Sequence, residues 1–420
     1  MNWDLISHLT WRANNMANVS SSNGLENRPK LRFPGFDEPW KETTLSAIFI
    51  KNIKKNTDGK ITNVICNSAK FGLISQREYF DKDIANSNNI NNYYIIHKSD
   101  FVYNPRKSTD APYGPISSYK YSEDGIVSPL YLCFRAKFEI NPLYFEWYFR
   151  SSVWHRYVYM SGDSGARHDR VSIKDDVFFA MPINIPSEQE QSKIASFLQS
   201  LDEIIATQEK LVASLKKYKR GLLSQLIAQK KSFGVCEKWK TVKLGQVFKE
   251  RTERANGNET LLAVTISNGV QRRGEIELKD NSSNDKSNYK RVYIGDIAYN
   301  TMRMWQGASG ASSYNGIVSP AYTIITPICS DKQDIVFWAY YFKHIPLIQT
   351  FQKFSQGLTS DTWNLKFPQF SEIAVSLPPK QDQDQIAKCL SIFDGLCKNE
   401  RDKLQLLLQI RTSLLQHLFI

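Results

Sequence analysis

The sequence lacks the short motifs by which DNA-modifying and ATP-hydrolysing enzymes hold their substrates. An adenine methyltransferase grips its flipped base with an Asn/Asp-Pro-Pro-Tyr/Phe loop. The nearest approach here, Asn104-Pro105-Arg106, fails that pattern, and no Gly-x-x-x-x-Gly-Lys-Ser/Thr phosphate loop occurs. The six histidines are scattered rather than clustered: His8, His97, His155, His168, His344 and His417. We therefore expect a chain without a catalytic centre of its own.

The cysteines predict neither a zinc site nor a disulfide framework. They are Cys66, Cys133, Cys236, Cys329, Cys389 and Cys397. None lies in a Cys-x-x-Cys pair, and such scattered cysteines are typical of small core residues in a reducing cytosol. No apolar run approaches the roughly 18 residues that span a bilayer, and the N-terminus lacks a secretory signal pattern. We expect a cytoplasmic protein that itself binds no metal or cofactor.

An excess of basic side chains points to a polyanionic partner. Lys and Arg number 54 against 42 Asp and Glu, which gives a formal charge of +12 and a pI of about 9.2. A charge of this sign attracts nucleic acid, and binding gains free energy from the counterions that are released. The alternative is a basic protein whose charges serve only solubility, and composition leaves both possibilities open.

A set of short patterns occurs twice in the chain, in the same order. The paired patterns are Trp40-Lys41 with Trp239-Lys240, Leu45 and Phe49 with Leu244 and Phe248, Asp100-x-x-Tyr103-Asn104 with Asp296-x-x-Tyr299-Asn300, GIVSP at residues 125–129 and 316–320, Trp147-Tyr148-Phe149 with Tyr340-Tyr341-Phe342, and Pro186 with Pro378. The offset falls from 199 residues at Trp40 to 191 at Gly125, and it is 192 after Pro186. A period near 190 residues is too long for a solenoid, so the sequence predicts a duplicated domain.

Each repeat ends in a long predicted helix. The first has no proline from residue 187 to about residue 230, and Ser187 with Glu190 forms a capping box. Apolar residues then recur in steps of four and three, the heptad pattern of a coiled coil. The stripe of the first helix is Ile194, Leu198, Leu201, Ile205, Val212, Leu215, Leu222 and Leu226. The stripe of the second is Ile386, Leu390, Phe393, Cys397, Leu404, Leu407, Leu414 and Leu418.

Polar residues interrupt both stripes at the same two levels. Gln208 and Lys219 fill the missing steps of the first helix, and Glu400 and Arg411 fill those of the second. At 1.5 Å per residue each helix is about 60 Å long, so its narrow stripe needs an equally long partner. Because the chain order is domain, helix, domain, helix, the second helix must run back along the first. The sequence predicts an antiparallel pair, and an ordinary dimerisation coiled coil is the alternative.

The segments before the helices predict two mixed α/β domains. They are rich in aromatic, Ser, Asn and Gly residues, and short β-prone runs alternate with turn clusters. We therefore predict an α+β fold of two similar mixed α/β domains joined by two long antiparallel coiled-coil helices, with a pseudo-two-fold internal repeat. The predicted boundaries are 1–30 for an N-terminal extension expected to be disordered, 31–186 for the first domain, 187–231 for the first helix, 232–378 for the second domain and 379–420 for the second helix.

The patterns together resemble the specificity subunits of bacterial Type I restriction–modification enzymes. The matching elements are LRFPGF at residues 31–36 with Trp40 and Leu45, the paired GIVSP segments, GDSGARHDR at residues 162–170, Pro-x-x-x-Glu/Asp-Gln-x-x-Ile-Ala at residues 186–195 and 378–387, and WNLKFP at residues 363–368. The resemblance covers residues 31–420. Members usually begin close to LRFPGF, so Met16 is an alternative start, and on that hypothesis residues 1–15 are disordered or untranslated.

The resemblance implies a role within a larger complex. Each domain is then a target-recognition domain that reads half of a split, asymmetric DNA site. The helices fix the gap between the half-sites and dock two methyltransferase subunits, which carry S-adenosylmethionine and methylate adenine at N6. Separate restriction and translocase subunits use ATP and Mg. This chain would supply sequence specificity to both methylation and restriction, and it would bind none of these cofactors.

Candidate DNA contacts follow from the chemistry of base recognition. Arginine reads guanine, and Asn or Gln reads adenine, by paired hydrogen bonds, whereas most other basic contacts go to phosphate. Several candidates follow the repeated Tyr-Asn pattern or lie in Gly/Ser-rich loops, where backbone can approach DNA closely. In the first domain they are Arg106, Lys107, Arg167, His168 and Arg170; in the second they are Arg272, Arg273, Arg303, Gln306, Gln356, Thr359 and Ser360. The alternative for each is a solvated surface side chain.

Two other functions stay open at this point. One is a coiled-coil adaptor or scaffold without DNA specificity, against which the paired domains with basic loops argue. The other is a fused DNA-modifying enzyme with a dispersed active site, against which the lack of a methylase or nuclease motif argues. Within the repeats, Tyr103 and Tyr299 are expected to pack in the core, and GIVSP is expected to form a strand-end turn.

Overall fold

The chain is organised as two compact units. The computed structural model describes residues 17–18, 27–79, 90–162, 169–233, 238–255, 259–276 and 285–420. The first unit comprises residues 1–207 with 404–420, and the second comprises residues 208–403. Both divisions fall inside long helices, so each unit contains one part of each helix.

Two helices in the described part of the chain are far longer than the others. The helices are α1 (Leu45–Ile48), α2 (Gln76–Tyr79), α3 (Pro142–Arg150), α4 (His155–Ser161), α5 (Asp175–Phe179), α6 (Glu188–Ile227), α7 (Leu244–Val247), α8 (Ile335–Tyr341), α9 (Ile345–Phe354), α10 (Phe367–Ser371) and α11 (Lys380–His417). Short 3-10 turns lie at Ile90–Asn92, Arg273–Glu275, Met304–Gln306 and Ser330–Lys332. The long helices α6 and α11 therefore occupy the C-terminal part of each repeat.

The strands are short throughout. They are β1 (Ala17–Asn18), β2 (Leu31–Arg32), β3 (Lys41–Thr44), β4 (Phe49–Lys51), β5 (Val64–Ser68), β6 (Gly72–Ser75), β7 (Tyr94–Ile96), β8 (Phe101–Tyr103), β9 (Ile116–Ser118), β10 (Gly125–Val127), β11 (Leu132–Ala136), β12 (Pro182–Ile185), β13 (Lys240–Lys243), β14 (Phe248–Arg251), β15 (Leu262–Thr265), β16 (Gly269–Arg272), β17 (Lys290–Val292), β18 (Ile297–Asn300), β19 (Ser309–Ala311), β20 (Gly316–Val318), β21 (Tyr322–Pro327) and β22 (Ala374–Leu377). Strands this short depend on sheet pairing and core packing for their stability.

The first unit contains two four-stranded sheets and two smaller ladders. One sheet has the order β6-β5-β10-β7, in which β10 pairs parallel with β5 and antiparallel with β7. The other has the antiparallel order β4-β11-β8-β9. Strand β12 returns to pair with β3, which places the start of α6 beside the beginning of the domain.

One small ladder lies in the predicted N-terminal extension. Ala17–Asn18 pair with Leu31–Arg32. The expected disorder of residues 1–30 therefore does not hold for Ala17–Asn18. Most of the remaining extension, residues 1–16 and 19–26, lies outside the described residues.

The second unit repeats this topology. Its four-stranded sheet has the order β14-β21-β18-β19, the counterpart of β4-β11-β8-β9. The hairpin β15-β16 and the pair β17-β20 correspond to the other sheet, and a parallel bridge between Leu261 and Ile317 joins them as β5 joins β10. The terminal pair β13-β22 matches β3-β12. The duplication and mixed α/β architecture predicted from the sequence are confirmed.

The repeated tyrosines belong to the two cores, as predicted. Tyr103 stacks on Phe178 with ring centroids 5.3 Å apart, and Tyr299 stacks on Phe370 at the same distance. Both tyrosines are almost completely buried. Their desolvation raises the pKa of each phenol far above its ordinary value, so both remain neutral. These side chains anchor strands β8 and β18 in the two cores.

The GIVSP patterns form a buried strand followed by a turn. Residues 125–127 and 316–318 are β10 and β20, and Tyr131 N donates to Ser128 O at 3.0 Å, as Tyr322 N does to Ser319 O. Each strand begins with glycine because atoms of adjacent segments lie too close to leave room for a side chain. A Cβ on Gly316 would come 2.4 Å from Thr260 O.

The long helices form the predicted antiparallel pair. Within the second unit, Gln208 contacts Glu400 and Lys219 contacts Asp394, so residue numbers rise along α6 as they fall along α11. In the first unit, Leu407, Leu414 and other residues of α11 pack in the same core as the stripe residues of α6. All sixteen residues of the two predicted stripes are buried or half-buried. The seam therefore supplies the apolar contact that each helix needs.

Each polar interruption of the seam is matched by a polar partner. Gln208 Nε2 donates to the backbone oxygen of Glu400 at 2.9 Å and to its carboxylate at 2.8 Å. Arg411 binds Asp202 at 2.8 Å, and the equivalent Lys219 binds Asp394. Hydrogen bonds from Lys403 and then Gln208 lower the pKa of Glu400. The interruptions seen in the sequence are therefore satisfied across the pair.

The repeated Pro and Gln before each helix form a side-chain cap. Gln191 Nε2 donates to Pro186 O at 3.0 Å, and Gln383 Nε2 donates to Pro378 O at 3.0 Å. The residue before each Gln is acidic and accepts from a tryptophan indole: Glu190 from Trp40 at 3.2 Å, and Asp382 from Trp239 at 3.3 Å. These contacts explain why the patterns around Trp40 and Pro186 recur together.

The glycines of β10 and β20 lead to the first prediction. Gly316→Ala should lower the free energy of unfolding by about 1–3 kcal/mol, because its Cβ would collide with backbone. Gly125→Ala should also destabilise the protein, because its Cβ would lie 2.7 Å from Cγ1 of the buried Ile65. Urea unfolding followed by tryptophan fluorescence measures both. Gly274→Ala, whose Cβ would meet nothing within 4 Å, is the control. Equal stability of the Gly316 and Gly274 variants would contradict the close-approach argument.

Candidate nucleic-acid interface

Two loops of the first unit bring three candidate DNA contacts together. The first loop pair comprises residues 104–107, which follow β8, and residues 169–171. Lys107 N donates to Asp169 O at 2.9 Å, and Val171 N donates to Pro105 O at 2.9 Å. Arg106 and Arg170 face each other in this short bridge. Arg106 and Lys107 are exposed and Arg170 is half-buried, while Arg167 and His168 lie outside the described residues.

The second unit builds the equivalent loop pair from different residues. The second loop pair comprises residues 300–307, which follow β18, and residues 355–365. Leu365 N donates to Thr301 O at 2.9 Å, the counterpart of the bond between Val171 and Pro105. Trp305 and Trp363 meet edge to face with centroids 5.2 Å apart. The predicted residues brought together are Arg303 and Gln306 on one loop, and Gln356, Thr359 and Ser360 on the other.

The repeated Tyr-Asn pattern starts each loop pair. The carboxamide oxygen of Asn104 accepts from Arg106 N at 3.1 Å, and that of Asn300 accepts from Met302 N at 3.0 Å. This local side-chain turn directs the chain out of the strand. The recurring asparagines are therefore structural, and the residues that follow them differ.

A buried aspartate anchors the strand that leads into each loop pair. Arg135 Nε and Nη2 donate to Asp100 at 2.6 and 2.7 Å, and Arg251 donates to Asp296 at 2.8 and 3.1 Å. The hydrogen bond to the aspartate raises the pKa of each arginine. Arg135 lies on β11, whereas Arg251 lies on β14, the counterpart of β4. The two units therefore form the same ion pair with arginines from non-equivalent strands of the sheet.

Arg272 and Arg273 lie at the end of the β15–β16 hairpin that is away from its turn. Arg272 ends β16, where it pairs with Leu262, and its guanidinium lies 4.7 Å from the Tyr314 ring centroid. The turn at the other end of this hairpin is the part that approaches β19: a Cβ on Gly310 would come 2.6 Å from Gly269 Cα. The two arginines therefore lie at the opposite end of the hairpin from the turn that approaches β19.

A lysine outside the predicted set holds the second loop pair in place. Lys343 Nζ donates to Ile266 O at 3.0 Å and also to Gly307 O. It thereby ties the β15–β16 turn to the loop that carries Arg303 and Gln306. Burial, with a smaller contribution from the charge of Lys219, lowers the pKa of Lys343 to about 8. Sequence reasoning missed this residue, although a cation follows the repeated aromatic cluster in both repeats, Arg150 in the first and Lys343 in the second.

A cleft of about 410 Å³ opens beside the first loop pair. Tyr94, Tyr131 and Arg170 line it, together with an ion pair in which Lys51 Nζ lies 2.5 Å from Asp175 Oδ2. That hydrogen bond raises the pKa of Lys51. The cleft gives the first loop pair a mixed aromatic and charged border.

The corresponding region of the second unit has different contacts. Lys290 takes the ladder position of Tyr94, and its Nζ donates to Tyr322 O at 2.9 Å. Thr301 Oγ1 donates to Ala321 O at 2.8 Å, which draws the loop against the strand-end turn. The two units thus share a scaffold but present different surfaces around their loop pairs.

The sequence of the chain matches one protein family along most of its length. The family described as Type I restriction modification DNA specificity domain matches residues 37–217 and again residues 236–409. The chain belongs to this family. The two matches coincide with the two repeats, so the chain carries two specificity domains.

Solved structures give the same fold. The HsdS subunit from Thermoanaerobacter tengcongensis is 15% identical with a TM-score of 0.52, and the match covers 95% of this chain and 99% of that one. The Type I restriction–modification S subunit from M. genitalium is 14% identical with a TM-score of 0.52, covering 94% and 99%. A chain from a study of assembly and conformational transition of the type I R-M system is 14% identical, with a TM-score of 0.57 and coverage of 90% and 97%. These likenesses establish the architecture of the two specificity domains and their long helices.

The described residues hold no group of three or more His, Cys, Asp or Glu side chains placed to bind a metal ion. Among the same residues, no helix combines the length and the apolar character that crossing a membrane requires. The polar side chains of the loop pairs include arginines, a lysine, amides and hydroxyls, which suit contacts to phosphates and base edges, together with the carboxylates of Asp169 and Asp361.

The position of Lys343 leads to a prediction about pH. Because its folded pKa of about 8 lies below the ordinary 10.5, the unfolded chain holds more protons between these values. The penalty of burying the charge is therefore present below pH 8 and is relieved as the pH rises to 10.5. The free energy of unfolding of the natural protein, relative to Lys343→Met, should increase over this range.

Chemical denaturation at a series of pH values measures this difference. Lys353→Met, which replaces an exposed lysine on the adjacent helix α9, is the matched control and should show no such trend relative to the natural protein. A flat difference between the natural protein and Lys343→Met across this range would contradict the burial of the ammonium group.

Proposed function

We propose that this chain is the sequence-reading subunit of a Type I restriction–modification complex and that each loop pair contacts one half of a bipartite DNA target. The observation that carries the proposal is the duplication of the loop pair. The same backbone contacts, Val171 with Pro105 and Leu365 with Thr301, support two different sets of polar side chains. A protein that reads two unlike half-sites needs this combination of a shared frame and divergent contact residues.

The chemistry of the two loop pairs supports an asymmetric target. The first presents the cations Arg106, Lys107 and Arg170, beside the cleft lined by tyrosines. The second presents one arginine, Arg303, with amides and hydroxyls. Arginine favours guanine and phosphate, whereas Gln favours adenine. The two halves of the site should therefore differ in sequence, and the whole site should not be a palindrome.

The long helices suit the role of a spacer. Two domains that contact one face of B-DNA must lie near one helical turn apart, roughly 34 Å, or a multiple of it. A packed helix pair keeps a distance far better than a flexible linker of the same length, whose ends fluctuate. We propose that this pair sets the number of base pairs between the half-sites.

The helices also suit the docking of partner subunits. Several large apolar side chains on them are exposed, including Leu211, Ile392 and Leu406. We propose that two methyltransferase subunits dock on this part of the chain and supply S-adenosylmethionine, and that restriction subunits supply the chemistry that needs ATP and Mg. The chain itself acts without catalysis, in the cytoplasm, by positioning these partners on a chosen sequence.

A genome-wide map of N6-methyladenine tests the proposed function. The chain is co-expressed with its cognate methyltransferase in a methylation-free host, and the methyltransferase alone is the control. The expected result is a split motif of two unlike halves with a fixed gap, found only when the chain is present. A soluble complex that methylates no motif would contradict sequence reading. Failure to form a complex would favour a scaffold, and metal-dependent cleavage by the purified chain alone would favour a fused enzyme.

The presence of one loop pair in each unit predicts half-specific variants. Arg106→Ala should relax the motif in one half and Arg303→Ala in the other, each losing about 1–3 kcal/mol of discrimination if the arginine reads a base. The two variants serve as controls for each other, and Lys249→Ala, an exposed lysine on β14, controls for loss of charge. The methylation map and binding titrations at fixed salt measure the effect. Uniform weakening of both halves by either variant would assign that arginine to phosphate instead.

A further inference from the structure

The second loop pair contains a small, closed loop at residues 356–364. Gln356 N donates to Asn364 O at 2.9 Å, and Asn364 N donates to Gln356 O at 2.8 Å, which closes the base of the loop. Inside it, Thr362 N and Trp363 N donate to Thr359 O at 3.0 and 3.1 Å. Thr359 N in turn donates to the Thr362 hydroxyl at 3.1 Å. The loop therefore has a defined conformation of its own.

Glycine is required at the bend of this loop. Gly357 has a φ of +138°, and a Cβ there would lie 2.6 Å from Thr362 O. The backbone on both sides of Leu358 is thus constrained, by Gly357 before it and by the threonine contacts after it. Leu358 therefore lies in an ordered turn.

The side chain of Leu358 is 100% exposed. No other large apolar residue described in the chain exceeds 72%, the value of Tyr159 and Met160. A leucine in water adds nothing to the stability of the fold, because apolar side chains stabilise a protein only when they leave water. An ordered loop that displays it is more readily explained by a contact made in a complex.

The surroundings of Leu358 indicate the kind of complex. Exposed Gln356, Thr359 and Ser360 flank it in the chain. The packing of Trp305 on Trp363 joins its loop to the one that carries Arg303. The loop thus carries one apolar side chain beside an amide, two hydroxyls and the carboxylate of Asp361, and it packs on the loop that carries Arg303. Such a mixture of apolar and hydrogen-bonding groups suits contact with base edges in a groove.

We infer that Leu358 is a specificity-determining residue that recognises thymine through its C5-methyl group. In the major groove, this methyl is the apolar feature that distinguishes thymine from the other three bases, and apolar side chains read it by contact. The inference rests on the proposed function and deepens it by assigning one base type to the second half-site. Removing the methyl should weaken binding about fourfold, the effect of exposing one buried methyl group.

Deoxyuridine substitution tests the contact directly, because uracil differs from thymine only by this methyl. Once the methylation map has given the target, duplexes are made with each thymine of the second half-site replaced in turn by deoxyuridine. Binding of the reconstituted complex with methyltransferase subunits is titrated for the natural chain, Leu358→Ala and Ile294→Ala. Ile294 is the matched control because it is also exposed, at 66%, in the same unit and lies in the turn before β18.

The expected result is a single position at which deoxyuridine weakens binding about fourfold for the natural chain and for Ile294→Ala but not for Leu358→Ala. Equal sensitivity in all three proteins would overturn the inference. So would a second half-site without thymine, or a loss in Leu358→Ala that is the same for both bases, which would point to a base-step wedge or a protein contact. The proposed function fails separately, when the natural complex selects no DNA sequence at all.

Discussion

The register of the two long helices rests on a contact between residues that hold equivalent places in the two repeats. Gln208 and Glu400 are 192 residues apart, the same offset as their helices, and the amide of one binds both the carbonyl and the carboxylate of the other. The apolar stripes alone would tolerate a slip of one heptad, because one leucine step resembles the next. A polar pair within the seam does not, since a slip would leave its groups without partners in an apolar environment. The ion pairs Arg411–Asp202 and Lys219–Asp394 are more exposed and reinforce the alignment with less energy.

Each helix is also fixed to the unit in which it begins. The carboxylates Glu190 and Asp382 receive the indole of a tryptophan beside the first strand of their own repeat. In the first unit this contact is strengthened by Arg32, which binds Glu190 through two hydrogen bonds of 2.8 Å in a buried setting. Breaking one side of such a pair leaves a buried charge without compensation, so the pair holds the helix start firmly in position. In each unit, the start of the long helix is thus fixed to the domain that carries the loop pair.

Features that depend on residue spacing along the chain were predictable from the sequence, whereas contacts between distant residues were not. Heptad steps gave the helices, their direction and the levels of the polar breaks, because these are local or follow from chain order. The repeated Tyr-Asn pattern marked one loop of each pair, since an asparagine turn needs no distant partner. Three features arise instead from contacts between residues far apart in the chain. They are the second loop of each pair, the choice of Arg135 on β11 or Arg251 on β14 to bind the buried aspartate, and the role of Lys343. The placement of Arg272 and Arg273 at the end of the β15–β16 hairpin away from its turn likewise required the hairpin to be seen in place.

The loop pairs show how one scaffold can present different sets of polar side chains. Each is closed by a backbone bond, Val171 N to Pro105 O or Leu365 N to Thr301 O, which makes no demand on the side chains beside it. Each follows a strand that is held in the core by a buried aspartate and a stacked tyrosine. Because the frame gains its stability from these inner contacts, the exposed residues after each asparagine, such as Arg106 and its equivalent Met302, can differ while the closing backbone bond is kept. The contacts that stabilise each domain therefore involve different residues from those exposed on its loop pair, and this division is what the proposed reading of two unlike half-sites would require.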